Sequence, residues 1–302
     1  MQWRCPHCAG PLDPTGSSLV CPAGHSFDRA REGYVNLMPS GRLKAKGVAG
    51  DSDEMIRARR AFFDAGHYLP IAEAVAEAVG QVDVVLDAGC GEGFYLAHVD
   101  APSRFGVDIS KPAIKLAARK YPDMSFAVGT SFHIPLDDNS VDAVVSVFAP
   151  RPFEEFARVL RPGGFAVVVS PGEDHLRGLT DLIYREPQPH EQRPHTEEGS
   201  VEVWYQLHLG QPDITHLVMM TPYWWKATAE QQEIIRAREE LTVTVDVVVS
   251  THRNLDRAVA AERAASTSAS ASTLGSGSGP GSASAEASTD RATSSRAMTN
   301  DL

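Results

Sequence analysis

Val85-Leu-Asp-Ala-Gly-Cys-Gly-Glu-Gly93 is an apolar run that ends in three alternating glycines. Val84 to Leu86 read as a buried strand, since a short β-branched run closed by glycines favours a strand over a helix. Gly89, Gly91 and Gly93 then form a turn whose bare backbone a ligand can approach, ahead of a helix expected to begin near Phe94. On either side the chain alternates strand and helix as far as Pro171. Strands are expected at 84–86, 105–109, 126–128, 141–148 and 165–170, and helices at 94–98, 112–120 and 152–160. This alternation predicts a parallel sheet covered by helices on both faces, with ligands bound outside the carboxyl ends of the strands.

The same stretch narrows the ligand. A hydride-transfer cofactor would want Gly-x-Gly-x-x-Gly, but Phe94 occupies the third glycine's place, and a phosphate loop would need a Gly-Lys-Ser/Thr that the chain lacks. The pattern is instead Asp-x-Gly-x-Gly-x-Gly from Asp87, followed by Gly106-Val-Asp108 at the end of the second strand, 21 residues beyond Asp87. An acidic residue there can hydrogen-bond both hydroxyls of a ribose. A ligand with a ribose and no phosphate fits, and S-adenosylmethionine is that ligand. Asp87 would face its charged methionine end, or else serve as a turn cap.

Near the start, Cys5-Pro-His-Cys8 is followed by Cys21-Pro-Ala-Gly-His25, with twelve residues across the gap. Two thiolates on one knuckle, with a thiolate and an imidazole on the next, suit the tetrahedral preference of zinc. His7 lies inside the first knuckle, which Cys5 and Cys8 already bracket. Four protein ligands leave no open position, so the metal is expected to stabilise a short module with little core and not to catalyse.

The 302 residues are 42% hydrophobic, enough for a full core, and the net charge of −11 argues against loose adhesion to polyanions. Residues 1–70 nevertheless hold nine Lys/Arg against seven Asp/Glu. The first residues lack the apolar core of a signal peptide and no uncharged apolar run could span a bilayer, which points to the cytoplasm. In that reducing compartment, four cysteines suggest metal or chemistry and not disulfides.

Between knuckles and glycine turn, Arg42, Lys44 and Lys46 lie in a basic segment that suits either phosphate contact or a solvated loop. Asp51 is the expected cap of a helix with Met55, Ala58 and Phe62 on one face and Arg57 and Arg60 on the other. Pro70 to Val79 forms a second helix. Further along, His175 to Tyr184 reads as a helix capped by Asp174 or a neighbour, and Arg185 to Ser200 as a loop. Val203 to Leu209 and Leu241 to Ser250 read as strands closing the sheet in antiparallel fashion. The aromatics of Thr221-Pro-Tyr-Trp-Trp225 suit a core. From about Ala264 the chain is Ser, Ala, Thr and Gly, and is expected to be disordered.

Asp87, the three glycines, Asp108 and Arg161-Pro-Gly-Gly164 together resemble the class I, Rossmann-like, seven-strand methyltransferases, an α/β fold. A closer resemblance runs from about Cys5 to Ser250. The zinc knuckles, Phe27-Asp28 with Glu32-Gly-Tyr-Val-Asn-Leu37, Gly50-Asp-Ser52, Ala58-Arg-Arg-Ala61 with Asp64-Ala-Gly-His-Tyr68, and Phe148-Ala-Pro150 are similar to the bacterial 23S rRNA guanine-N1 methyltransferases. Some members of that family confer resistance to macrolides such as tylosin. The resemblance implies a zinc-binding RNA-recognition module at 1–38, a basic linker and connecting helices at 39–82, an S-adenosylmethionine-dependent methyltransferase domain at 83–255 and a disordered tail at 264–302. It also implies 23S rRNA as partner and a homodimer.

By the same resemblance Cys5, Cys8, Cys21 and His25 hold zinc, Gly91 and Glu92 contact the cofactor, and Tyr68 and His175 match cofactor-touching positions. Read from the residues alone, Tyr68 is a packed linker aromatic and His175 a helix-start residue. The cofactor set is therefore Tyr68, Asp87, Gly89, Gly91, Glu92, Gly93, Asp108 and His175. The chain departs from better-known members in Gly129-Thr-Ser-Phe-His133 and in residues 185–200.

The reaction can also be weighed. Carbon-5 methylation of pyrimidines needs a cysteine nucleophile, but three of the four thiols are assigned to zinc and Cys90 sits in the cofactor turn. Exocyclic-amine methylation goes with an Asn/Asp-Pro-Pro-aromatic turn, where this chain has Phe148-Ala-Pro-Arg151. Guanine N1 in a hairpin needs loss of a weakly held proton and in-line placement. Arg151 is the candidate catalytic residue, stabilising charge that spreads onto guanine O6; an ion pair with Glu154 or Glu155 is its structural alternative. No general base stands out. Two rival functions are a small-molecule methyltransferase acting on a quinone or secondary metabolite, and a non-catalytic zinc-containing RNA-binding protein. The zinc module counts against the first, the intact cofactor motif against the second.

Overall fold

The computed structural model describes residues 2–38, 52–183, 199–221, 223–224, 227–253 and 255. Strands β1 (Asp13–Thr15), β2 (Ser18–Val20) and β3 (Ser26–Asp28) form a small antiparallel sheet beside the cysteine knuckles. After them β4 (Val35–Asn36) leaves this ribbon and joins the edge of the large sheet. Helices α1 (Asp53–Asp64) and α2 (Leu69–Val79) come next, followed by β5 (Val84–Ala88), β6 (Ser103–Asp108), α3 (Lys111–Lys120) and β7 (Ser125–Val128). The chain continues through β8 (Val141–Val147), α4 (Phe153–Val159), β9 (Leu160–Pro171), α5 (Leu179–Ile183), β10 (Val201–Gly210), α6 (Gln211–Met219), α7 (Ala229–Arg236) and β11 (Glu240–His252).

The strand order is β10-β11-β9-β8-β5-β6-β7-β4. All pairings from β4 to β9 are parallel, and β10 and β11 are added antiparallel. Seven of these strands make the expected mixed sheet, and β4 is an eighth, lent by the ribbon. Strand alternation sorts the sheet's side chains into two cores. Val85, Val145, Val167 and Val169 pack against Ile71 and Val75 of α2 and Ile114 of α3. Leu86, Val144, Ala166 and Val168 face the other way, onto Phe153 and Phe156 of α4 and onto Trp3, Leu12 and Leu19 of the ribbon. Trp3 meets Phe105 edge-on at 5.1 Å, Arg4 N donates to Pro135 O at 2.8 Å, and Arg4 pairs with Asp137. The ribbon therefore covers a face of the sheet that would otherwise be apolar and wet.

Three local expectations need correction. The cap of α1 is Ser52, whose Oγ accepts from Met55 N at 3.2 Å; the buried stripe is Ile56, Ala58 and Phe62, and Asp51 lies outside the described residues. No α-helix follows the glycine turn, only a 3-10 turn at Leu96–His98. The backbone turns left-handed at Gly89, Gly91 and again at Gly93, and Pro102 demands extended chain just before β6, which leaves a short span between them. The third concerns His175 to Tyr184, where helix begins only at Leu179. Leu176 and Gly178 take left-handed φ of 61° and 93°, which turns the loop back onto β11: Leu176 N reaches Thr244 O at 2.8 Å and Thr244 N reaches Arg177 O at 3.0 Å. Asp174 pairs with Arg177 instead of capping a helix. The segments at 39–51, 184–198 and 256–302, which hold Arg42, Lys44, Lys46, most of the 185–200 loop and the tail, lie outside the described residues.

Gly178 is the position where this loop tolerates no side chain, because a Cβ would collide with the carbonyl oxygen of Thr242. Gly178→Ala should therefore destabilise the fold by about 2 kcal/mol or more, combining left-handed strain with overpacking, and a urea denaturation curve will show it as a lowered midpoint.

Candidate active site and zinc centre

The glycine turn hangs from the end of β6. Gly89 N and Cys90 N both donate to Val107 O, at 2.8 and 3.1 Å, and Gly91 N donates to Asp108 Oδ2 at 2.9 Å. Asp108 Oδ1 accepts from Ser110 N at 2.7 Å. The carboxylate predicted to face a ribose thus also holds the shape of the turn. Beneath it, a Cβ on Gly106 would come within 2.9 Å of Cys90 Sγ and 2.7 Å of Phe126, so only glycine lets the turn sit this close to the strand. Gly89, Gly91 and Gly93 all adopt left-handed φ, at 95°, 54° and 78°.

Two carboxyl groups inside this cradle are buried without hydrogen-bond partners among the described residues, Asp87 through Oδ2 and Glu92 through Oε1. Burial, with the charge of Asp108 added, pushes Asp87 up to about 8. Burial also pushes Glu92 up to about 7, against the pull of Arg59. Tyr95 OH is a third buried orphan, its acidity suppressed mainly by burial. Native proteins rarely leave such atoms unsatisfied unless a ligand, an ion or ordered water takes them. A cationic sulfonium and an ammonium are the partners that buried carboxyls lack, so S-adenosylmethionine fits this donor set.

An aromatic wall stands next to the turn, whose Gly89 lies against Ala149. Phe148, immediately after β8, stacks on His175 with ring centroids 5.4 Å apart and planes 26° from parallel, and Tyr68 stands 6.4 Å from Phe148 and 6.5 Å from His175. His175 Nδ1 accepts from Asp246 N at 3.3 Å, so a neutral ring carries its proton on Nε2. The loop that sequence reading took for a helix start is what carries His175 to this wall. Arg151 Nη1 donates to Ser170 Oγ at 2.9 Å, at the end of β9. Glu155, weighed as its ion-pair partner, is engaged by Arg158 and Ile134 N instead.

Cys5, Cys8, Cys21 and His25 converge in the ribbon, with all four ligand atoms within 4.8 Å of one another. Cys8 and Cys21 Sγ are 3.5 Å apart, and His25 Nδ1 lies 3.5 Å from Cys5 Sγ and 3.3 Å from Cys21 Sγ. A tetrahedron with metal–sulfur bonds of about 2.3 Å has edges of roughly 3.8 Å, so the cage is the size zinc needs. His7 is not in the cluster; it stacks on Phe27 at 5.9 Å.

Residues 3–46 match a zinc-ribbon family model described as "RlmA, N-terminal", and residues 86–168 match a model described as "Methyltransferase domain". The 23S rRNA (guanine(748)-N(1))-methyltransferase of Streptomyces fradiae is 38% identical over 268 residues, which cover 82% of this chain and 93% of that one. The chain belongs to the 23S rRNA guanine-N1 methyltransferase family. A Micromonospora griseorubida protein assigned to the same activity is 38% identical, covering 83% of this chain and 96% of its own. A Bacillus subtilis protein with that assignment is 30% identical, covering 81% and 94%. This methyltransferase uses S-adenosylmethionine as cofactor and carries structural zinc.

Three residues escaped the sequence reading. Arg59, on α1, brings Nη1 to 3.7 Å from where a Gly91 Cβ would sit, whereas Arg60, which had been singled out, pairs with Asp64. Tyr95 had looked like one more helix residue. Phe148 was noted only as part of a motif; its left-handed φ of 51° is invisible in a sequence.

Two outcomes follow for the methyltransferase. Stripping zinc with a chelator, or Cys21→Ala, should release one equivalent of metal and lower the thermal midpoint, because ribbon and sheet share a core. S-adenosylmethionine binding should strengthen as pH rises through about 7 to 8, with protons released on binding, since a cationic ligand favours the ionised forms of Glu92 and Asp87. The sign is opposite for the cofactor-free fold. There Asp87 keeps a proton that the unfolded chain loses above 3.8, so its contribution to stability falls as pH rises toward about 8. Calorimetric titration in buffers of different ionisation enthalpy will count the protons.

Proposed function

We propose that this enzyme methylates N1 of one guanine in a hairpin of 23S rRNA, with the ribbon helping to place the RNA and the glycine cradle holding the donor. The observation that carries this reading is the zinc ribbon packed against β5 and β6, the strands that carry the cofactor turn, within a likeness that spans nearly the whole length of the relatives. A small-molecule methyltransferase would gain nothing from a metal-held module of this kind, and a vestigial cofactor fold would not retain orphaned carboxyls aimed into its cradle.

S-adenosylmethionine, when bound, supplies a methyl group on a positively charged sulfur. Asp87, Glu92, Asp108 and the backbone of Gly89, Gly91 and Gly93 hold and orient it, with Tyr68 and His175 as the wall. Arg151, tied to Ser170 and three residues beyond Phe148, would stabilise negative charge on guanine O6 as N1 gives up its proton. No side chain is assigned as general base. Nitrogen N1 needs only to lose a weakly held proton in the right position, so geometry carries most of the rate.

The reading extends to a cytoplasmic enzyme; no described helix is long and apolar enough to cross a membrane. It also extends to a homodimer, supported by Val201 and Trp204, which stand exposed on the edge strand β10. We extend the reading to macrolide resistance, which the family resemblance implies, and growth with tylosin tests that extension.

Incubating the enzyme and S-adenosylmethionine with unmodified 23S rRNA transcript should place one methyl on a guanine N1, read as a reverse-transcription stop and confirmed by nuclease mapping with mass spectrometry. Methyl on an exocyclic amine or a pyrimidine carbon would refute the assignment. Arg151→Ala should slow single-turnover transfer by about tenfold or more with RNA affinity unchanged.

A further inference from the structure

Phe148 has a backbone φ of 51°, a left-handed conformation that bulky side chains rarely adopt, and its side chain is 43% exposed. Strain at an apolar residue open to solvent is not explained by packing and marks positions where function sets the geometry. The surroundings over-determine it. Phe148 N donates to Val169 O at 3.2 Å, and its ring lies on His175. The next residue, Ala149, fills the niche left by Gly89, whose Cβ would stand 2.5 Å from that of Ala149. The ring is thus fixed one residue from the cofactor turn, stacked on a buried histidine and still accessible. Leu176, after His175, is also left-handed at 61°, so both halves of the stack are mounted on strained backbone.

We propose that Phe148 is the platform on which the target guanine stacks after it leaves its helix. The proposal rests on the reading of the enzyme as a guanine-N1 methyltransferase. A nucleobase taken out of its stack needs an aromatic face to replace its lost neighbours. Stacking engages the face of guanine and leaves the edge that carries N1 and O6 free in the plane, where Arg151 and the methyl donor can address it. Phe132 is more exposed, at 63%, but it follows β7, separated from the cofactor strand β5 by β6, whereas Phe148 follows β8, which pairs with β5 directly.

The test uses the full chain, S-adenosylmethionine and unmodified 23S rRNA transcript. Phe148→Leu keeps apolar bulk and removes the π face; its single-turnover rate at saturating RNA should fall by about tenfold or more. Phe148→Tyr should restore most of that rate. Transcript affinity by filter binding, which phosphate contacts dominate, should not move, and neither should cofactor affinity or the thermal midpoint. A Leu variant as fast as wild type would overturn the proposal. A parallel loss of cofactor affinity would also overturn it, by placing Phe148 in the donor site. A drop in thermal midpoint that tracks the lost rate would reduce the residue to packing. On the wild-type protein, transcript containing 6-thioguanosine should photo-cross-link to the peptide bearing Phe148, and absence of that peptide from the cross-linked set refutes the platform independently of any variant. If wild type transfers no methyl to the transcript, the reading beneath the proposal fails and the platform falls with it. If wild type is active and Phe148→Leu matches it, the platform alone fails.

Discussion

The active site depends on one suspension: two backbone N–H groups of the glycine turn hang on Val107 O, and a third hangs on the Asp108 carboxylate. Without those bonds, a turn with left-handed glycines at every second position would be a flexible loop with no preferred shape. With them, the end of β6 dictates where the turn sits. Parallel pairing of β6 with β5 then places the turn beside Asp87, and pairing of β5 with β8 brings in Ala149 and Phe148. The site is thus a consequence of strand register, and the loops inherit their positions from the sheet.

Electrostatics pull the other way. Asp87 Oδ2 and Glu92 Oε1 are buried without hydrogen-bond partners among the described residues, which lowers the stability of the cofactor-free fold, since burying an unsatisfied polar atom is costly. An apolar residue in place of Asp87, which lies beside the like charge of Asp108, would stabilise the resting protein. Retention of the two buried carboxyls is intelligible only if the missing partner arrives with the cofactor. The same logic applies to the strained Phe148 and Leu176: local energy is raised at the site, while the two apolar cores on either side of the sheet hold the fold together.

Much of this was legible in the sequence because it depends on spacing. Cys5, Cys8, Cys21 and His25 come together as knuckle spacing requires, and Asp87 and Asp108 end adjacent strands, as a strand-turn-strand unit of 21 residues implies. What depends on tertiary register was not legible. The stretch from His175 to Tyr184 has apolar spacing that suits a helix, yet bonds from the loop at Gly172 to Gly178 to Asp246 and Thr244, far along the chain, fold its start back and deliver His175. No local pattern announces a partner in β11. Arg59 was passed over for its neighbours Arg57 and Arg60 because one residue of helix rotation, about 100°, decides which arginine meets the turn.

The ribbon's place in the second core has a mechanical meaning. Trp3, Leu12 and Leu19 are buried against the same layer as Leu86, and β4 is hydrogen-bonded into the sheet that carries the glycine turn. The ribbon cannot swing as a separate arm without exposing the core. The ribbon and the glycine turn are therefore held at a fixed spacing by one sheet, as the marks on a gauge are. On the reading proposed above, an RNA gripped by the ribbon would be accepted only where the distance from grip point to reacting base matches that fixed spacing, so selection among guanines would rest on length and shape as much as on sequence.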